Sequence, residues 1–445
     1  MLEVLNTLLW GPGTLALILG TGAWLTLRTG GFPQRNLGRA LTLSLGGEAR
    51  RKGRGGVSPF GSLMTALAST VGTGNIVGVA AALVSGGPGA LVWMELAALL
   101  GLAAKFAECM LAVKYHRVRQ DGTRWGGPMA VMETRLGSAG AVLGRFYALF
   151  ALLMAFAMGA MAQSGALADT FSAAFTLPRW RVGLVTAVLA LAILLGGIRR
   201  IAEISTVLVP VMALLYLGGG LAVILGNLRR LPEALILMLR CAVAPEAALG
   251  GALGIVTRRE ALRWGVARSV FSNEAGLGSA SITAACADTE DPVKQGLISM
   301  TGVFFDTMVI CTVTGLAICC SGTLGAADGN GLPLTGAALT LRAFETVLGP
   351  LAPWLIGAAL GLFAFTSVLG CAVQAETTAS YLLGPEAVRP CRVLYGLSVF
   401  VGAMIPMATV LQLADLANAL MAFPNLVCLL LLSGEIAGEC GKKER

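Results

Sequence analysis

The sequence predicts an all-α polytopic membrane protein of about eleven transmembrane helices, ten of them forming a 5+5 inverted repeat with two unwound helices. Three observations carry the prediction. The 445 residues are 56% apolar and 13% charged, and their mean hydropathy of +0.79 lies far outside the soluble range. Apolar windows of bilayer-crossing length recur along the whole chain. Two of them are interrupted at matching places by glycine and polar residues, where an unbroken helix would leave no backbone group unsatisfied.

Taken in order, windows of about 20 mostly apolar residues fall near 5–27, 60–84, 90–113, 142–173, 182–198, 203–226, 263–287, 295–320, 351–375, 391–409 and 412–434. The first, "LNTLLWGPGTLALILGTGAWLTL", follows Glu3 with no basic n-region and no small-residue cleavage pattern, so it reads as a retained span. The window at 263–287 is the least apolar, because Arg263 and Arg268 stand in its first half.

Basic residues cluster in two loops and the tail. The 28–58 loop holds Arg28, Arg35, Arg39, Arg50, Arg51, Lys52 and Arg54. The 114–141 loop holds Lys114, Arg117, Arg119, Arg124 and Arg135, and the tail adds Lys442, Lys443 and Arg445. Placing these on the cytoplasmic side puts about 20 of the 32 basic residues inside. The N-terminus is then outside, the C-terminus is cytoplasmic, and the chain is a multi-pass protein of the plasma (inner) membrane. The net charge of +8 is thus a matter of topology and the lipid bilayer, with no nucleic-acid partner implied. The ten cysteines show no CxxC or metal-ligand spacing and read as small buried residues. The single histidine, His116, has no partner cluster.

An internal echo organises the rest. "GTGNIVGVAAAL" from Gly72 aligns with "GLGSASITAACA" from Gly276, and each is followed by a short link and another apolar span. By the span count the first broken helix starts from the cytoplasm and the second from outside, so the repeats are inverted. The expected organisation is an extra N-terminal helix with a basic cytoplasmic loop (1–57), a first five-helix repeat (58–227), a second (247–436) and a cytoplasmic tail (437–445).

Unwinding a helix in hydrocarbon costs several kcal/mol for each unsatisfied backbone group unless the break lines a polar cavity. A half-helix N-terminus suits a carboxylate and a half-helix C-terminus suits Na⁺ or an ammonium, so a pair of breaks can hold both ends of a zwitterion. Gly72 and Gly74 are the candidate N–H donors to a carboxylate, on the expectation that glycine takes strained angles and lets a ligand approach. Thr73 adds a hydroxyl and Asn75 a carbonyl oxygen. In the second break Ser272, Asn273 and Glu274 precede Gly276, which by its alignment with Gly72 is a further candidate substrate contact. Glu274 at mid-membrane has three open roles: neutralising Na⁺, carrying a proton, or pairing with Arg268 as a gate. Lys105 and Glu108, three apart, are expected to pair on one helix face near the cytoplasmic end. Gln163 is expected to face the bundle interior, and Asp306, Glu376 and Asp415 carry no assignment.

The stretches "SPFGSLMTALASTVGTGNIVGVAAALVSGGPGALVWMELAALLGLAAKFAECMLAVKY" from Ser58, "WGGPM" at Trp125, "RWGVARSVFSNEAGLGSASI" at Arg263 and "FAFTSVLG" at Phe363 closely resemble the alanine or glycine:cation symporter family. The resemblance covers essentially the whole chain. It implies a LeuT-type core over spans 2 to 11 and uptake of a small neutral amino acid driven by Na⁺. It also implies a Na⁺ site of the Ala68, Val71 and Phe363 carbonyls with the Thr366 and Ser367 hydroxyls, hard oxygens of the kind a small cation needs. By the same resemblance the amino acid sits against Thr73 and Gly74, Gln163, Phe271, Ser272 and Asn273. In one place the chain departs from the family pattern: Cys371 stands where a tryptophan usually forms part of the pocket wall, which removes an indole surface and its N–H donor.

The leading function is therefore symport of an alanine- or glycine-like amino acid by alternating access, with Na⁺ or H⁺ as the coupling ion and no resident cofactor. Alternatives on the same fold are a symporter for a larger or different amino acid, which Cys371 suggests, and a transport-deficient substrate sensor. An intramembrane enzyme finds no residues to rest on, since no window holds a histidine and no HExxH or GxSxG occurs. Oligomeric state is left open by the sequence.

Overall fold

Among the described residues every apolar window holds a helix or a broken helix. The computed structural model describes residue 6 and residues 9–51, 57–119, 122–243, 258–327 and 331–444. Lys52, Arg54, Arg445 and the expected start of the second repeat at 247 lie outside the described residues.

Helix α1 (Pro12–Arg28) precedes a broken pair, α2 (Pro59–Thr70) and α3 (Val77–Gly86), and then α4 (Gly89–Lys114). A two-stranded hairpin pairs Arg117 with Trp125 and leads to α5 (Pro128–Met154), which runs through a π-helical turn, Ala155–Ala162, into α6 (Gln163–Phe175). Helices α7 (Arg179–Leu194) and α8 (Gly197–Gly226) complete the first half. The second half repeats the pattern with α9 (Arg258–Asn273), α10 (Ser279–Ala284) and α11 (Pro292–Val303), then a π segment, Phe304–Cys311, and α12 (Thr312–Ser321). It continues with α13 (Ala352–Leu383), α14 (Val388–Gly402) and α15 (Met407–Leu431), and α16 (Ser433–Glu444) closes the chain.

Local chemistry explains where helices start. Ser58 accepts the Gly61 N–H at 3.0 Å and Pro59 occupies the first turn of α2. Asp291 does the same for α11, accepting from Lys294 N at 3.1 Å ahead of Pro292. Between α5's first turns and its long apolar run, Gly137 at φ 62° kinks the chain, so the membrane-length segment starts near the expected 142.

Among the described residues six helices are long and apolar enough to cross a bilayer, and the α2–α3 pair, bent by 61°, makes a seventh. The remaining expected spans fall short for physical reasons. Helices α1, α7 and α14 have 17, 16 and 15 residues, about 23–26 Å at 1.5 Å per residue against a hydrocarbon layer of about 30 Å. The α9–α10 segment is interrupted and carries charge.

Helix α4 forms the axis of the bundle, packed against α9 on one side and α11 on another. Helix α13 packs on α2, α6 and α8, α15 on α5, and α7 on α14. Large apolar side chains such as Leu184, Val188, Leu189, Leu214 and Leu221 are exposed on the periphery, as lipid-facing surfaces require. At one end, α16 is tied down by Lys114 to Glu435 at 2.6 Å and Glu439 at 3.0 Å, and by Lys443 to Asp291 at 2.6 Å.

Candidate functional site

The two breaks face each other across the bundle, and they are built differently. In the first, α2 ends at Thr70 and Thr73–Asn75 form a single 3-10 turn. No residue here takes a left-handed angle; Gly72 is extended (φ −131°, ψ −159°). The expectation that glycine is needed for strained angles does not hold at this break. Glycine is needed at 72 for space: a Cβ would lie 2.7 Å from Ser367 Oγ and 3.4 Å from Gln163 Nε2. A Cβ at Gly74 would meet the Phe271 ring at an ordinary 3.5 Å.

The Gly72 N–H does not face an open site either. It donates to Asn75 Oδ1 at 3.1 Å, a closed local ring. At this break the Thr73 and Gly74 N–H groups find no acceptor among the described residues, so the candidate donors lie one residue further along than the expected Gly72. The Thr73 hydroxyl donates to Gln163 Oε1 at 3.3 Å, which puts α6, immediately after its π-helical turn, against the break.

The second break does use left-handed backbone, at Glu274 (φ 53°), Gly276 (φ 85°) and Gly278 (φ 82°). Its α9 side ends with the carbonyls of Phe271, Ser272 and Asn273 taking no hydrogen bond from the described residues. Free N–H groups at Thr73 and Gly74 thus adjoin free carbonyls at 271–273, a pairing suited to a carboxylate and an ammonium on one small molecule.

Asp306, unassigned from sequence, joins the two breaks. It is fully buried on the π segment after α11. Its Oδ1 accepts from Asn75 Nδ2 at 2.8 Å, and its Oδ2 from Ser272 Oγ at 2.5 Å and Thr307 Oγ1 at 3.0 Å. Asn75 Nδ2 also reaches Ser272 Oγ at 3.2 Å. Asn273 braces the same region, donating to Thr307 Oγ1 at 3.0 Å and accepting the Ala275 N–H at 2.9 Å. The side chains of Ser272 and Asn273 therefore hold the break in shape, and their carbonyls are what they present. The sequence signal for Asp306 was an acid inside the apolar run "GVFFDTMVIC"; nothing local named its partners.

Gly276 is not available to a ligand. Its N–H and that of Gly278 both donate to Glu108 Oε2 at 3.1 Å, and its carbonyl accepts from Asn425 Nδ2 at 2.9 Å. Glu108 thus occupies the anion position at the start of α10, the counterpart of the position that stays open in the first break. The predicted Lys105–Glu108 pair forms at 3.6 Å with both side chains buried, in the last three turns of α4 and beside this break. Glu274 accepts a hydrogen bond from Ser279 Oγ, and in this structure it makes no ion pair with Arg268. Arg268 stacks instead between the Trp264 and Phe271 rings, 5.4 and 5.2 Å from their centroids. Glu376 pairs with Arg392, both contacts at 2.8 Å, and so joins α13 to α14.

Around the expected cation position, Ser367 Oγ donates to the Phe363 carbonyl at 2.9 Å and lies 3.5 Å from the Val71 carbonyl. Thr366 shares the Phe363 carbonyl at 3.0 Å but also touches Met212 Sδ at 3.2 Å on α8. The Ala68 backbone adjoins α13 at Gly370, where a Cβ would be 2.9 Å from the Ala68 carbonyl carbon. Beside Cys371 the packing is close: a Cβ on Gly159 would lie 2.2 Å from Cys371 Cβ, so α13 and the π-helical turn are in direct contact there.

Residues 1–442 of the 445 match the model of the sodium:alanine symporter family. The chain belongs to the sodium:alanine symporter family. It is 41% identical over 441 residues to the sodium/alanine symporter AgcS of Methanococcus maripaludis, covering 99% of this chain and 96% of that one. An uncharacterized transporter of Haemophilus influenzae is 43% identical over 432 residues (97% and 92%). The probable sodium/glutamine symporter GlnT of Bacillus subtilis is 36% identical over 435 residues (97% and 87%). Among solved structures, a manganese transporter of Eremococcus coleocola matches 83% of this chain and 75% of its own, at a TM-score of 0.49 and 14% identity. Membership makes the protein a multi-pass membrane transporter engaged in cation-coupled amino-acid symport, and not an enzyme.

Proposed function

We propose that the protein couples inward Na⁺ movement to uptake of a small neutral amino acid by alternating access, on a LeuT-type core of ten helices in two inverted repeats plus α1, eleven spans in all. The observation that carries the reading is the facing pair of breaks, with free Thr73 and Gly74 N–H groups beside the free carbonyls of 271–273. The amino acid's carboxylate goes to the former and its ammonium to the latter. Na⁺ binds next to it among the carbonyls of Ala68, Val71 and Phe363 and the hydroxyls of Ser367 and Thr366. The inverted repeat is supported by the helix pairings. Exchanging each helix for its counterpart turns the α5–α15 contact into the α13–α8 contact and leaves the α7–α14 contact unchanged.

The N-terminus is outside and the C-terminus cytoplasmic, so that α16 and the basic loops share one side. Substrate identity is the alanine or glycine class. The glutamine-named relative favours a larger amino acid as the second reading, and a sensor without transport is the third. The deciding test is uptake of radiolabelled amino acids, from glycine through alanine and glutamine to leucine, into proteoliposomes with and without an inward Na⁺ gradient. Gradient-driven accumulation establishes symport and its best substrate. Binding without accumulation would identify a sensor.

A further inference from the structure

Around the second break, three buried carboxylates are supplied with unequal numbers of donors. Glu108 accepts from the Gly276 and Gly278 N–H groups and from Asn425 Nδ2, and stands 3.6 Å from the Lys105 ammonium. Asp306 accepts from Asn75, Ser272 and Thr307. Glu274 is equally buried, yet among the described residues it accepts a single hydrogen bond, from Ser279 Oγ, and no cation lies within 4.0 Å of it. Its backbone holds a left-handed angle, φ 53°, that a residue of this size rarely takes, so the fold keeps the carboxyl here against a local preference.

The groups facing Glu274 come from every element packed on it: Lys105 on α4, Tyr147 on α5, Ser279 on α10, Asp306 on the π segment after α11, and Cys371 and Gln374 on α13. Lys105 is the one cation among them. Gln374 is fully buried, and neither its amide oxygen nor its amide nitrogen has a hydrogen-bond partner. With all three acids ionised, three negative charges would face one ammonium away from water. Uncompensated charge there is far costlier than a neutral carboxylic acid, and the acid with the fewest donors is the one that gains most by taking a proton. A protonated Glu274 needs an acceptor for its O–H, and Gln374 Oε1 is an acceptor that nothing else uses. A metal ion would instead set a second cation close to the Lys105 ammonium.

We propose that Glu274 is a proton-binding site, its O–H donated to Gln374 Oε1, and that the proton leaves for water when an amino acid seats its ammonium on the adjoining carbonyls of 271–273. The release rests on the transporter reading above; the proton site does not. Two measurements on the purified full chain test it. The first is infrared spectroscopy of the ligand-free protein at neutral pH, read at the carbonyl stretch of a neutral carboxylic acid. Wild type should show this band, Glu274→Gln should lose it, and Gln374→Leu, which keeps the carboxyl and removes its acceptor, should move it to higher frequency. The second follows an indicator dye in weakly buffered solution as L-alanine or L-glutamine is added in saturating Na⁺. Wild type should release a proton for each amino acid bound and Glu274→Gln none, and the wild-type Kd should fall by up to about tenfold per unit rise in pH while that of Glu274→Gln stays flat. Absence of the band, its survival in Glu274→Gln, or its failure to move in Gln374→Leu would overturn the proton site. A band that behaves as expected, with amino acid bound and no proton released, would overturn the exchange. If no amino acid of the panel binds or is taken up, the transporter reading and the exchange fall together, and the infrared band still decides the proton site.

Discussion

Replacing Asp306 by asparagine changes charge without changing shape, and the geometry sets the expected cost. Three donors converge on the carboxylate: Asn75 Nδ2 at 2.8 Å, Ser272 Oγ at 2.5 Å and Thr307 Oγ1 at 3.0 Å. A hydrogen bond to a charged group contributes roughly 1.5–3 kcal/mol and a neutral one about 0.5–1.5, so each bond loses about 1 kcal/mol. The sum, about 3 kcal/mol, falls on a carboxylate that bonds to both breaks. If the relative placement of 72–75 and 271–273 forms the binding site, the initial rate of Na⁺-driven uptake at subsaturating substrate should drop on the order of 100-fold. Thr307→Ala, which removes one donor of three, should cost on the order of tenfold or less. The assay is uptake into proteoliposomes reconstituted at matched protein density. Uptake by Asp306→Asn within about threefold of wild type would refute the idea that this carboxylate holds the breaks together.

Further outcomes follow from the same contacts. Ser367→Ala should raise the Na⁺ concentration for half-maximal uptake by on the order of tenfold, and more than Thr366→Ala, because Ser367 Oγ faces both the Val71 and Phe363 carbonyls whereas Thr366 is partly turned to Met212; a Na⁺ titration of each variant checks the order. Lys105→Met should destabilise the fold by about 3–5 kcal/mol by stranding Glu108 in the interior, with the Lys105→Met/Glu108→Gln double variant recovering part of it in thermal melts. Where α16 docks, hydrogen bonds from Lys442 and Lys114 hold the Glu439 carboxyl below its ordinary value of 4.5. A depressed carboxylate stabilises docking of α16 above that value and loses its contribution as pH falls through the lower, folded-state value. Docking read by a spin-label distance from α16 to the hairpin should therefore be flat from neutral pH down to about 5 and lengthen only below about 4.5.

Much of the architecture was legible because bilayer solvent imposes a one-dimensional rule: every apolar run had to become a helix, and each break had to declare itself by residues that spoil one. "STVGTGN" and "SNEAGLGS" did so, and both are unwound in the structure. Aligning them glycine over glycine also implied equivalent roles, and there the reading failed. Gly276 looks like Gly72 in sequence, yet its N–H is consumed by Glu108 from α4, and Gly72's own N–H is consumed by Asn75. Cys371 suggested a roomier pocket because sequence shows the lost indole but not the close packing of Gly159 against this residue. Asp306 was visible as an acid among apolar residues, while its bonds to Asn75 and Ser272 cross 231 and 34 positions of chain.

Composition and pattern by themselves determined that the chain lives in a membrane, where its helices run, which two are broken, and to which family it is similar. Only tertiary structure decided which polar atoms of the breaks remain free. A backbone N–H or carbonyl in hydrocarbon must be satisfied, and whether a neighbouring side chain or a ligand does so depends on which helix packs beside it.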